Sequence, residues 1–175
     1  MQFPDFMFRD KNKLHAFGGA RVLPGEIVPY RDAMKESVLA FLSEAFVAAG
    51  KVFETEGRHK IYTDIPNNFL LFLCMKQQEK VIGTVALKKL SERTCELKTL
   101  YLLKAWQGKK LGYALASSAI DFAKENGFEK IYLDSMKGYD KAIRLYHSLG
   151  FKECERYNDN DKADVFMVKE LATSK

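Results

Sequence analysis

The stretch that most constrains the fold runs from residue 95 to residue 126, where a strand-like run, a glycine- and lysine-bearing loop and a helical stripe follow without a break. Residues 95–103 alternate and then turn wholly apolar, as a strand buried on at least one face does. Gln107-Gly108-Lys109-Lys110-Leu111-Gly112 follows, carrying two glycines and two lysines. Leu111, Leu115, Ser118, Ala119 and Phe122 then mark one face of a helix. The first N–H groups of a helix have no acceptor inside it, and the helix dipole points the same way, so such an end attracts anions. Strand, glycine loop and helix together read as a phosphate cradle.

Periodicity on either side sets out a mixed order of elements. Residues 26–31 read as a short first strand, and Asp32 is placed to cap the following helix with its carboxylate. Met34, Val38, Phe41, Leu42, Ala45 and Phe46 give that helix an apolar stripe ending near Gly50. Residues 51–67 mix charges with Gly57 and Pro66; they read as a short helix and loops that name no ligand. Residues 69–76 and 81–88, separated by the polar turn 77–80, read as an antiparallel hairpin.

The helix beginning near Lys109 stops at Asn126-Gly127, and residues 130–136 make the next strand. Strand, helix and strand there form a parallel crossover. Asp140 opens a further helix carrying Ala142, Ile143, Tyr146 and Leu149 and closed by Gly150. Residues 151–157 and 163–171, joined by the turn 158–161, read as a closing hairpin.

Residues 1–24 stand apart. Phe3, Phe6, Phe8 and Phe17 are many aromatics for a solvated tail, yet Pro4, Gly18-Gly19 and Pro24-Gly25 interrupt any regular element. They read equally as an arm, packed on the domain or on the second subunit of a homodimer, and as a partly disordered extension. Residues 25–175 are then one domain.

Composition excludes several classes. No apolar run reaches the length of a membrane span, and the scattered charges of the first thirty residues argue against a signal peptide. A net charge of +5 is spread along the chain with no run of five cations, which argues against nucleic acid as a partner. Cys74, Cys95 and Cys154 lack C-x-x-C spacing and sit in strand-like contexts, so they read as buried free thiols of a reducing cytoplasm. No His, Cys and carboxylate spacing suggests a metal site; His15 and His59 stand isolated in the sequence.

Two motifs carry a family resemblance. Gln107-x-x-Lys110-x-Gly112-x-Ala114 resembles the pyrophosphate-binding motif Gln/Arg-x-x-Gly-x-Gly/Ala of the GNAT superfamily of N-acetyltransferases. Ala142-Ile-Arg-Leu-Tyr146-His-Ser-Leu-Gly150-Phe151 is similar to the Ala-x-x-Leu-Tyr-x-x-x-Gly-Phe segment of the same enzymes. Their order fits, as does the strand from Glu96 to Leu102, and the resemblance covers roughly residues 26–171. Two departures stand out. Lys110 occupies a usual glycine position, and Tyr139 a position where asparagine often contacts the cofactor.

The resemblance implies an α/β chain with the GNAT acyl-CoA N-acyltransferase fold: an antiparallel half joined to a parallel pair whose central strands splay apart. It implies acetyl-CoA as co-substrate and an amine as acceptor, of a small molecule first and of a protein or peptide second. A catalytically silent acyl-CoA-binding module is the alternative from another class. By the same resemblance the backbone N–H of Leu102 would face the acyl carbonyl, with Leu100 and Tyr101 beside it along the pantetheine arm. Gln107, Gly108, Lys109, Lys110, Leu111, Gly112 and Tyr113 would hold the phosphates, with Tyr139 as a further contact. Tyr146 would be the general acid and Glu96 the base, with Asp134 its competitor. Transfer would be direct, in a ternary complex without a covalent enzyme intermediate, because the cysteines lack a neighbouring histidine to activate them.

Overall fold

The structure, a computed structural model, describes residues 24–172. The expected arm therefore lies, but for Pro24, outside the described residues. β2 (Leu71–Gln77) and β3 (Lys80–Lys89) pair antiparallel, as the hairpin spacing predicts. Five successive residues of β2 and seven of β3 are buried, so this part of the sheet is covered on both faces. β1 (Glu26–Pro29) pairs with the free edge of β2, and β4 (Thr94–Leu102) with the other edge of β3. β5 (Lys130–Ser135) runs parallel to β4, and β7 (Val165–Glu170) separates β5 from the two-residue β6 (Lys152–Glu153). The result is a seven-stranded sheet of order β1-β2-β3-β4-β5-β7-β6.

Both faces of β3 and β4 are packed by helices, α1 (Lys35–Ala48) and α3 (Leu111–Glu125). α3 settles close because β3 carries Gly83 beneath it. A Cβ there would stand 2.9 Å from Leu115 Cδ1 and 2.8 Å from Leu102 Cδ1, so no larger residue fits without moving the helix or the end of β4. The stripe read from sequence is on the buried side: Leu111, Leu115, Ser118, Ala119 and Phe122 are all buried. A four-residue α2 (Ile65–Asn68) and α4 (Asp140–Ser148) complete the helices.

Three element limits differ from the sequence reading. Asp32 does not cap α1; it begins a 3₁₀ turn, Asp32–Met34, and the helix starts after Met34 without a side-chain cap. α3 starts at Leu111 and not Lys109, because Gly108 and Lys110 both adopt positive φ, 78° and 61°, which no helix can include. The strand expected over 151–157 ends at Glu153, after one further ladder bond from Cys154 N–H to Phe166 O. Beyond it the side chains of Tyr157 and Asn158 turn inward to hydrogen-bond Glu96. Cys74 and Cys95 are buried free thiols, while Cys154 is half-buried.

Candidate active site

β4 and β5 pair only from Thr94↔Lys130 to Glu96↔Tyr132 and then part. The cause lies in β4. Between Thr84 and Ala86 of β3 the register shifts, and opposite the shift Thr99 takes a φ of 58°. A β-branched residue is strained in that region, and two buried hydrogen bonds hold it there. Thr84 Oγ1 donates to Thr99 O at 2.8 Å, and Tyr62 OH meets Thr99 Oγ1 at 2.8 Å. Such a bulge bends and twists its strand, which turns the end of β4 out of β5's reach.

The parting exposes backbone donors. Leu103 N–H donates to Ile82 O across the β3 ladder. Because successive amides of a strand alternate sides, the N–H of Leu102 faces the side that β5 has left. The carbonyl of Leu102 accepts from Gln107 Nε2 at 3.1 Å, which ties the following loop to the end of the strand. In that loop the amides of residues 108–113 have no acceptor among the described residues; the first helical bond is Ala114 N–H to Lys110 O. Lys110 keeps, at a lysine, the left-handed geometry that a glycine would adopt without strain. Gly112 differs: a Cβ there would meet only Leu145 Cδ2, at an ordinary 3.5 Å, so neither the packing nor its φ requires glycine. Lys109 lies over the Trp106 ring at 4.8 Å, and Tyr113 is exposed.

A cavity of about 970 Å³ opens between the parted strands. Leu100, Tyr101, Asp134, Tyr139 and Tyr146 of the expected set line it, whereas Glu96, Leu102 and the loop Gln107 to Tyr113 do not. The Tyr146 ring packs against Phe151, centroids 6.0 Å apart, and its hydroxyl has no hydrogen-bond partner among the described residues. Burial, with the Asp134 charge adding to it, pushes the phenol up to about 12, so it stays a proton donor across the neutral range. His147, next in sequence, is exposed on the other side of α4.

The two carboxylates belong to one network. Glu96 is 4% exposed and accepts from Tyr157 OH at 2.7 Å and Asn158 Nδ2 at 3.0 Å, with Lys98 Nζ at 3.4 Å. Asn158 Nδ2 also donates to Asp134 Oδ2 at 2.6 Å, and Asn160 Nδ2 to Asp134 Oδ1 at 3.2 Å. Asn158 thus links a buried glutamate to a cavity-facing aspartate.

The opposite wall is aromatic. Phe46, His59, Tyr62 and Tyr101 line it with Phe53 behind them, the rings packing edge to face, tilted or stacked, and His59 Nδ1 accepts from Glu54 N–H at 2.9 Å. Isolated in sequence, His59 is a member of this cluster, and burial holds its pKa below the usual range. Tyr101, expected along a pantetheine arm, turns its ring onto Phe46 at 4.8 Å. Tyr139 donates to Ala49 O at 3.4 Å. Between these rings sits Lys51.

Lys51, Asn158 and Asn160 were not legible as site residues. Lys51 follows a helix-ending glycine in a segment of mixed charge, and the asparagines sit in what reads as a plain turn. Only contacts spanning 24 to 62 residues bring the asparagines to their carboxylates. Among the described residues no group of three His, Cys, Asp or Glu side chains could hold a metal ion.

The buried tyrosines set an alkaline limit on the fold. Burial pushes both Tyr62, against its hydrogen bond with Thr99, and Tyr146 up to about 12. Both values are raised over the unfolded ~10, so this stability is complete below pH ~10 and is lost as pH climbs through 12. Each two-unit shift corresponds to roughly 2–3 kcal/mol, and two such groups make a large part of a domain's ~5–15 kcal/mol. Denaturant midpoints should hold from pH 8 to 10 and fall steeply above it. A midpoint unchanged to pH 12 would contradict the burial of these phenols.

A sheet opened between its parallel pair, with free amides after the end of β4 and a tyrosine–carboxylate cavity in the opening, defines the acyltransferase class of mixed α/β fold. The chain belongs to the acetyltransferase (GNAT) family, whose sequence profile matches residues 36–151. It is 34% identical over 97 residues to the probable N-acetyltransferase camello of Xenopus laevis, across 51% of this chain and 44% of that protein. It is 41% identical over 83 residues to the uncharacterized N-acetyltransferase YjgM of Escherichia coli, across 44% and 48% respectively. The chain spans about half the length of these curated relatives. In fold it is similar to a GNAT acetyltransferase from Staphylococcus aureus, with TM-score 0.77 and 21% identity over 85% of this chain and 99% of that one. It is also similar to the PaiA N-acetyltransferase of Thermoplasma acidophilum, solved with coenzyme A, at TM-score 0.66 and 21% identity over 84% and 99%. Among the described residues no helix is long and apolar enough to cross a membrane.

Proposed function

We propose that the protein transfers the acetyl group of acetyl-CoA to a primary amine of a small molecule, by direct attack in a ternary complex. One observation carries the reading: the β4–β5 pairing stops at Glu96↔Tyr132, a cavity lined by the proton-donating Tyr146 opens there, and the end of β4 and the loop after it carry free amides. The amides of residues 108–113 suit the pyrophosphate, with Lys109 and Lys110 adding positive charge. Acetyl-CoA, when bound there, supplies an activated thioester. Leu102 N–H is aimed where negative charge on the acyl oxygen would be stabilised.

Asp134 accepts the proton that the ammonium must lose, directly or through water, since of the two candidate carboxylates it is the one that lines the cavity. Glu96 acts as a positioning residue: it holds Asn158, and Asn158 holds Asp134. Tyr146 presents its proton to the departing sulfur. Cys74 and Cys95 are not acyl carriers, since burial pushes both thiols up to about 12, far from the thiolate form.

The test is thiol release from acetyl-CoA against polyamines, aminoglycosides, amino acids and peptides. Turnover of a small amine supports the reading. Cofactor binding without turnover of any acceptor supports the silent binding module instead. The cradle has its own test in Gly112→Val. Because a Cβ fits there, the variant should fold, yet it blocks backbone approach to the pyrophosphate. Losing even one charge-assisted hydrogen bond should weaken acetyl-CoA binding at least about tenfold. Calorimetric titration giving the parental affinity would remove the loop from the site.

A further inference from the structure

Lys51 is the feature of the cavity that acetyl transfer leaves unused. Its ammonium lies 5.1 Å from the Tyr139 ring centroid, 5.7 Å from Tyr101 and 5.8 Å from Phe46, within the range of cation–π attraction. It donates to Tyr101 OH at 3.2 Å. An ammonium has three donors, and no carboxylate among the described residues lies within ion-pair distance of this one. Of the other cavity cations, Lys98 pairs with Glu96 and Arg58 with Asp161, while Lys88 and Lys162 are exposed at the rim. The remaining rim carboxylates, Glu54 and Asp159, are also exposed. A half-buried cation therefore sits in an aromatic cage on one wall, with unspent hydrogen bonds. Asp134 and Tyr146 line the same cavity.

We propose that Lys51 binds the carboxylate of a zwitterionic acceptor, so that the acceptor is an α-amino acid whose amine faces Asp134. The inference rests on the acetyl-transfer reading for the role of the amine. A half-buried charge without a counter-ion is unfavourable, and an incoming carboxylate reduces that cost while adding charge-assisted hydrogen bonds. Burial holds the Lys51 pKa below the usual lysine range, with Asp134 pulling the other way. An α-amino acid carries its two charges in the order the cavity asks for, anion toward Lys51 and amine toward Asp134. A polyamine would instead bring cations against Lys51 and Lys98. Phe46, Ile61, Tyr62 and Leu97 leave apolar wall for the acceptor's side chain.

The experiment compares the standard amino acids with their carboxamides and decarboxylated amines. Thiol release gives kcat/KM for each, and calorimetry on the protein saturated with coenzyme A gives binding. The free acid of the preferred amino acid should exceed its carboxamide by roughly 10–100-fold, chiefly through KM. Lys51→Met keeps the unbranched stem among the rings and should shrink that ratio to within about threefold. Carboxamides or decarboxylated amines used as well as the acids by the parental protein would overturn the proposal without recourse to the variant. A ratio unchanged in folded Lys51→Met would overturn it too. If no amine is turned over, acetyl transfer falls, and binding alone decides: acid-over-amide selectivity that vanishes with Lys51 upholds the carboxylate site, and equal binding rejects it.

Discussion

Replacing Tyr146 by phenylalanine is expected to lower kcat by about 10²–10⁴-fold, the range that a positioned proton donor contributes. Stability should hardly change, because the ring against Phe151 is retained and the hydroxyl has no partner among the described residues to lose. Acetyl-CoA affinity should persist, since the phosphate amides lie in another element. The phenol, pushed up to about 12, also predicts the shape of the pH profile. A thiolate near ~8.5 is the weaker base, so a Tyr146 acting on it is expected to share its proton as a strong hydrogen-bond donor while charge develops on sulfur. The parental rate should therefore show no loss from Tyr146 ionisation below about pH 11. A Tyr146→Phe variant turning over at the parental rate, with chemistry shown to limit it, would leave the residue as core packing only.

Asp134→Asn is expected to cost roughly 10–10³-fold in kcat/KM at neutral pH, toward the lower end because water can partly replace a base. The amide keeps the shape of the carboxylate but cannot take the amine's proton. Since more acceptor amine is neutral as pH rises, the deficit should narrow from pH 6 to 10. Glu96→Gln separates the two carboxylates. As a positioning residue Glu96 should lose rate by a similar factor at every pH, through a loosened Asn158. If the Glu96 profile converges at high pH while the Asp134 profile runs parallel to the parent, the base is Glu96, which the family resemblance favours.

The strands and helices were legible because each buries a face. An apolar run at 69–75, a hairpin-length polar turn and a helical stripe at 111–122 are local patterns, and burial acts on local patterns. The Gln107–Gly112 loop was legible for the same reason: its donors come from consecutive residues. The expected splay of the central strands came through family resemblance, but its cause did not. Nothing in Glu96-Leu-Lys-Thr-Leu-Tyr-Leu102 announces that Thr99 adopts positive φ, because that conformation depends on Thr84 and Tyr62 arriving from other elements.

The pair of candidate carboxylates came through family resemblance. By itself, the sequence determined the element order, the glycine- and lysine-bearing loop and the buried Tyr146. Each depends on residue type and on neighbours within a few positions, where steric and hydrogen-bonding rules act directly. Only the tertiary structure decided which carboxylate faces the cavity. Glu96 and Asp134 sit on adjacent strands with the same alternation; Tyr157, some 60 residues beyond Glu96, covers Glu96, Asn158 bridges the two, and Asp134 alone of the pair lines the cavity. It also decided the place of Lys51, an ordinary loop lysine in sequence. The rings of Phe46, Tyr101 and Tyr139 close around it from three separate elements, and only that convergence makes it a half-buried, caged cation.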